Sequence, residues 1–203
     1  MKLLLLVLGF ALVLGCGGAG EKSVELKRQS VIQYVEADTT GRTILIANLL
    51  TRLPEGWSEG DITADRQKAR LEIEQVEGDP EPGQVEMFFF GLDEERIAIE
   101  INRWYGQFLQ PGYRPTVEVA RREEFDSVDG MRVLLTWFPG TFKQVRRRGD
   151  PEDSVKPEWM CLSAVVWTPD GPWYFRGSGP KCTMRANFGK MKEFLENLVF
   201  VVM

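Results

Sequence analysis

The chain reads as an α+β domain, a single antiparallel β-sheet of about six to seven strands with helices packed on it. Three observations predict this. Apolar or alternating runs of strand length recur between turn residues, and Asp129-Gly130 is a strong hairpin signal. Most of these runs are neighbours in sequence, which suits antiparallel pairing. Two stretches, one midway and one at the end, instead repeat apolar residues three and four apart, as amphipathic helices do. With 203 residues, 43% of them hydrophobic and 27% charged, the chain fits one domain with a sizeable core.

Residues 1–15 set the destination of the chain. Met1 and Lys2 make a positive start, and residues 3–14 are an almost unbroken apolar run, too short to span a bilayer comfortably. The run ends in Val13-Leu14-Gly15-Cys16, which resembles the bacterial lipobox: an aliphatic residue, a small residue before the scissile bond, then the cysteine whose thiol takes the lipid. Residues 1–15 are therefore expected to be a lipoprotein signal peptide. Cys16 is expected to be lipidated, residues 16–23 to be a flexible leash carrying Gly17, Gly18 and Gly20, and residues 24–203 to form the single domain. No later stretch approaches eighteen consecutive apolar residues, so membrane contact is expected through the N-terminal lipid. The body is placed facing the periplasm or the exterior.

Within the domain, residues 24–35 alternate through Val24, Leu26, Ile32 and Tyr34 and fit either a strand or a short helix. Residues 43–53, rich in Ile and Leu, fit one buried strand, which Pro54 and Gly56 end and Trp57 anchors. Residues 66–76 set Ala69, Leu71 and Ile73 against Arg70, Glu72 and Glu74, one face buried and the other wet. After a loop at 77–83, residues 85–90 are apolar on both faces, as in a strand covered on both sides. Asp93 caps a helix with an acidic first turn, whose apolar face is Ile97, Ile101, Trp104 or Tyr105, and Phe108. Strands are expected at 116–125 and 131–138, followed by a long polar connection at 139–157. The last two strands, 159–167 and 173–176, turn about Pro169-Asp170-Gly171-Pro172. Residues 184–199 make the final helix, with Met184, Phe188, Met191, Phe194, Leu195 and Leu198 on one face.

Composition removes whole classes of chemistry. The chain has no histidine, so no His-based triad, Cys–His dyad or His-ligated metal site can be built from it. With Cys16 committed to lipid, Cys161 and Cys182 are too few for a structural zinc site. The expectation is no metal and no cofactor. A net charge of −5 argues against generic nucleic-acid binding.

Several residues remain as candidates. Cys161 and Cys182 flank the last hairpin; if Trp167 faces Trp173, Cys161 falls opposite Gly179, within reach of Cys182, and an exported compartment permits a disulfide. Arg146, Arg147 and Arg148 form a loop able to grip an anionic partner, or a solvated run balanced by Asp150, Glu152 and Asp153. Trp57, Trp104, Tyr105 and Phe108, with Trp173 and Tyr174, line a groove or belong to the core; at helical spacing the core reading leads. The segment Gly177-Ser178-Gly179-Pro180-Lys181 enters a helix, where free amides can bind an anion, and otherwise is a plain strand-to-helix turn. The carboxylates of Asp93, Glu94 and Glu95 suit capping. Those of Glu77, Asp79 and Glu81 lack the ordered spacing of a calcium loop.

Leu53-Pro54-Glu55-Gly56-Trp57, Phe88-Phe89-Phe90-Gly91, Asn102-Arg103-Trp104, Gly106-Gln107-Phe108, Phe175 and Gly179-Pro180 together resemble bacterial lipoproteins of the planctomycete type, related in fold to the PsbP-like α/β sandwich. The resemblance spans residues 43–201. It implies that sandwich and a binding or assembly role without catalysis, and carries no metal or partner residue onto this chain. The leading expectation is a lipid-anchored, non-catalytic binding or assembly module of the cell envelope, facing another envelope protein. The alternatives are a carboxylate-dependent envelope glycan hydrolase and a carrier of a small apolar ligand.

Overall fold

Residues 43–53 fold back on themselves, and that reversal decides the architecture. The computed structural model describes residues 32–34, 42–144 and 154–202. In chain order the first strands are β1 (Ile32–Tyr34), β2 (Arg42–Ile46), β3 (Leu49–Leu53), β4 (Trp57–Glu59), β5 (Gln67–Ile73) and β6 (Gly83–Phe89). Helix α1 (Glu95–Gly106), the two-residue strand β7 (Phe108–Leu109) and a single helical turn α2 (Thr116–Val119) follow. Next come β8 (Arg121–Asp126), β9 (Arg132–Gln144), β10 (Ser154–Thr168) and β11 (Gly171–Pro180). The chain closes with α3 (Lys181–Ala186), α4 (Phe188–Glu196) and β12 (Val199–Phe200).

The expectation of a single sheet of six to seven strands is overturned, because the strands form two antiparallel sheets. The smaller runs β1-β2-β3-β12; the larger has eight strands in the order β4-β5-β6-β11-β10-β9-β7, with β8 also paired to β9. The cause is the tight turn at Ala47 and Asn48, where Ala47 adopts φ 52°. It pairs β2 with β3 in one hairpin, and the outer edges of that hairpin are taken by β1 and β12 rather than by the large sheet. A run that looks like one buried strand thus becomes the centre of a second layer.

Alternation along the large sheet then builds two cores. On one face Ala69, Leu71, Ile73, Val85, Met87, Leu162, Ala164, Val166 and Phe175 pack under Ile44, Ile46 and Leu49 of the small sheet and under Met191, Phe194 and Leu195 of α4. On the other, Phe138, Trp159, Cys161, Val165 and Tyr174 pack under Ile101, Trp104 and Tyr105 of α1. Each fully buried large apolar side chain contributes about 1.5–3 kcal/mol, so these two seams hold the layers together.

Further departures from the sequence reading include three with a local reason. Residues 116–119, expected in a strand, form α2 after Pro115, with the Thr116 hydroxyl donating to the carbonyls of Tyr105 and Phe108 at 3.1 and 3.2 Å. The final helix is broken at Asn187: its Nδ2 donates to the Thr183 carbonyl and its Oδ1 accepts the Trp57 Nε1 hydrogen, both at 2.9 Å. The connection at 139–157 shrinks from both ends, since β9 and β10 extend into it around a bulge between Lys156 and Trp159. The Asp129-Gly130 hairpin is as expected: β8 and β9 close on an Asp126–Arg132 pair, and Gly130 takes φ 76°. Among the described residues no helix is long and apolar enough to cross a membrane.

Candidate functional site

The helix α1 covers only part of its face of the large sheet, and the uncovered part is a cleft of about 780 Å³. The alternation of β6 sends Val85 and Met87 into the core below the sheet, which leaves Glu86 and Phe88 on the face of α1. The pairing of β6 with β11 sets Tyr174 beside Phe88 and Arg176 beside Glu86. The floor of the cleft is therefore Phe88, Phe90 and Tyr174, with Phe88 and Phe90 stacked at 6.0 Å and Tyr174 5.4 Å from Phe90.

One wall is a stripe of α1 next to its buried face. Arg96, Glu100, Arg103 and Gln107 fall four, three and four residues apart, one turn above another, and all line the cleft. Glu100 is buried and its carboxylate is held by arginines: both oxygens accept from Arg103 Nη1 at 3.2–3.3 Å, and Arg96 lies 3.8 Å away. Arg96 also donates to Asp93, whose other oxygen accepts the Arg96 backbone N–H, so Asp93 does cap the first turn. The guanidinium of Arg96 lies 4.6 Å from the Phe90 ring centre and that of Arg176 5.4 Å from Phe88. Arg176 is held from behind by the buried Glu86.

The opposite wall is the turn before β5. Gln67 is buried there, and its Oε1 accepts the backbone N–H groups of Thr63 and Ala64 at 2.9 and 3.1 Å. That clamp presents Ala64, Asp65 and Arg66 to the cleft, with Arg66 in the left-handed region at φ 63°. Arg66 is exposed and has no hydrogen-bond or ion-pair partner among the described residues.

Tyr174 closes the site at its base. It is 1% exposed, and its hydroxyl has no hydrogen-bond partner among the described residues. Burial, with the charges of Glu100 and Asp93 adding to it, pushes its pKa up from 10.0 to about 12. At neutral pH the group is a neutral O–H donor without an acceptor, an arrangement that folded proteins seldom leave in place.

The residues singled out from sequence are distributed differently. Trp57, Trp104, Tyr105, Phe108, Trp173 and Tyr174 are all buried and belong to the cores, split between the two faces, so they form no common groove. Only Trp104 and Tyr174 reach the cleft. Asp79 Oδ2 accepts the Thr183 backbone N–H and hydroxyl at 2.7 and 2.6 Å, placing a carboxylate of the chain itself at the start of α3, where the sequence allows an anion. Lys181 pairs with Glu158 and Glu81 with Lys156, each at 2.7 Å. Cys16 and Arg146, Arg147 and Arg148 lie outside the described residues.

The disulfide expected between Cys161 and Cys182 is not present; both cysteines are free. The register puts Cys161 opposite Ser178, and its side chain lies in the α1-side core, 3.1 Å from the Ser163 hydroxyl. Cys182 is exposed on α3, whose Met184 packs into the core on the other side of the sheet. One sulfur is enclosed in the α1-side core and the other is open to solvent, and they form no bond. Burial also raises the Cys161 thiol from 9.0 to about 12, so its reactive thiolate is suppressed. Under native conditions near about pH 8, iodoacetamide is expected to label Cys182 and spare Cys161, and unfolding should expose the second. Two thiols protected until reductant is added would restore the disulfide.

No protein-family model matches the chain, and no curated relative matches it. Among solved structures it is similar to the solution structure of cyanobacterial PsbP (CyanoP) from Synechocystis sp. PCC 6803, with TM-score 0.47 and 14% identity over 92% of this chain and 97% of that one. At that identity the likeness is one of fold alone.

Proposed function

We propose that the chain is a non-catalytic binding module tethered to the cell envelope by lipid on Cys16, and that the cleft beside α1 is where it binds. The observation that carries the reading is the buried Tyr174 hydroxyl left without an acceptor at the base of an arginine-walled cleft. A polar group buried unpaired costs about 1–3 kcal/mol, a cost that an incoming acceptor removes. The lipobox-like end of the N-terminal apolar run supports the tether. The binding or assembly role expected from sequence is thereby given a place, this concave site.

The test uses a photo-reactive residue in the cleft. Gly106 lines it, and a side chain there meets open space. In intact cells, Gly106→p-benzoylphenylalanine is expected to give a discrete adduct on illumination. The same substitution at Ile99, exposed on α1 but outside the cleft, should give none. Cys16→Ala should leave the membrane fraction. An adduct no stronger than the Ile99 control, or unchanged sedimentation of Cys16→Ala, overturns the corresponding half of the reading.

A further inference from the structure

The polar inventory of the cleft is one-sided. The carboxylates in and beside the cleft are engaged: Glu100 is held by Arg103 with Arg96 close by, Asp93 by Arg96 and Glu86 by Arg176, while Asp65 is also partnered. What is left over, besides the side-chain amide of Gln107, is donors. Among the described residues Arg66 has no partner, the Tyr174 hydroxyl has none, and Arg103 uses one terminal nitrogen of a guanidinium that carries five N–H bonds. The groups that match leftover guanidinium and phenol donors are the oxygens of an anion, which make charge-assisted and frequently bidentate bonds. The floor beneath is aromatic, made by Phe88, Phe90 and the ring of Tyr174, with Trp104 beside them. A volume near 780 Å³ admits an organic molecule rather than an ion alone.

Resting on the reading of the cleft as a binding site, we infer that its ligand is a small organic oxyanion, a carboxylate or phosphate head on an apolar body. The head lies toward Arg66, Arg103 and the Tyr174 hydroxyl, and the body lies along Phe88 and Phe90. Arg66 sits on the clamped turn facing α1, so the head is approached from both walls. Arg96 and Arg176 are each fixed over a ring of the floor and held by the carboxylates of Asp93 and Glu86, which leaves Arg66 and the remaining nitrogens of Arg103 to meet the head.

The test is titration calorimetry on the full chain in detergent, with detergent alone as blank. The probes are 2-naphthoate, 2-naphthyl phosphate, the neutral 2-naphthalenemethanol and inorganic phosphate. One or both naphthyl anions should bind at least about tenfold more tightly than the alcohol and than inorganic phosphate, and which anion binds better identifies the head group. Tyr174→Phe and Arg66→Gln should each weaken the anion about tenfold and leave the alcohol unchanged. Tyr174→Phe removes a hydroxyl that has no hydrogen-bond partner among the described residues, so it is expected to fold, and the comparison stays readable. Equal binding of the alcohol, wild-type affinity in both variants, or no binding of either anion at millimolar concentration overturns the inference. If the Gly106 adduct still forms in cells after such a result, the binding module stands and only the ligand class falls. If neither is seen, both fall.

Discussion

Replacing Gly177 with alanine is expected to abolish cooperative folding, or to lower stability by more than about 3 kcal/mol. A Cβ on Gly177 would stand 1.9 Å from the carbonyl oxygen of Leu162, a backbone atom with no rotamer by which to retreat. The closeness has a purpose in the ladder. Between the pairs Cys161–Ser178 and Ala164–Phe175 the fully buried Ser163 reaches across, its hydroxyl accepting the Gly177 N–H at 3.1 Å and donating to the Gly177 carbonyl at 3.3 Å. A side chain at 177 pushes β11 from β10 at the centre of the large sheet and breaks both bonds at once. Urea unfolding followed by tryptophan fluorescence measures the effect. Gly106→Ala is the control, because a Cβ there meets open space and a helical glycine replaced by alanine gains up to about 1 kcal/mol. A Gly177→Ala midpoint equal to wild type would mean that β10 and β11 are not packed this closely.

That glycine also shows where the sequence is legible and where it is not. Strands whose burial repeats every second residue are readable from the chain alone: Ala69, Leu71 and Ile73 do face the core. The β8–β9 hairpin is readable because alternation and Asp129-Gly130 agree. Residues 177–180 hide, because Gly-Ser-Gly-Pro carries the marks of a turn and yet continues β11. There the glycines serve close approach, with Gly179 lying under Gly83 and Met184, a tertiary requirement with no local signature. The reversal at Ala47-Asn48 hides for the opposite reason, since it has neither glycine nor proline to announce it.

The cleft is half legible. The stripe Arg96, Glu100, Arg103 stands in the sequence at helical spacing, but a charged stripe beside an apolar one is what any amphipathic surface helix shows. What turns it into a wall is how α1 lies over β6 and β11, together with the turn held across from it by Gln67. Tyr174 has an apolar-strand setting on both sides, and nothing local indicates that its hydroxyl goes unpaired. The reading of Trp104 and Tyr174 as groove or core separates properties that the structure combines: both are buried, and both form the base of the site.

The charge pair beneath that site is expected to give the second large effect, and it separates stability from binding. Glu86 is 2% exposed and its one described ionic partner is Arg176, which donates through Nε at 2.9 Å and again through Nη2. Arg176→Met leaves the carboxylate buried without its cation, a change that costs about 3–5 kcal/mol in such pairs; the partial exposure of Arg176 favours the lower end. Glu86→Met alone should cost less, because the guanidinium it abandons already reaches solvent. The double variant removes both charges and fills the same space with apolar atoms, so it should recover most of the loss, giving a coupling of at least about 2 kcal/mol in a double-mutant cycle read from urea midpoints. Additive losses would mean that the pair is not coupled and that water already reaches Glu86. Because Arg176 also lines the cleft, the refolded double variant should bind 2-naphthoate more weakly than wild type even where its stability is restored. The same substitution thereby tests whether the Arg176 guanidinium over Phe88 belongs to the site or only to the fold.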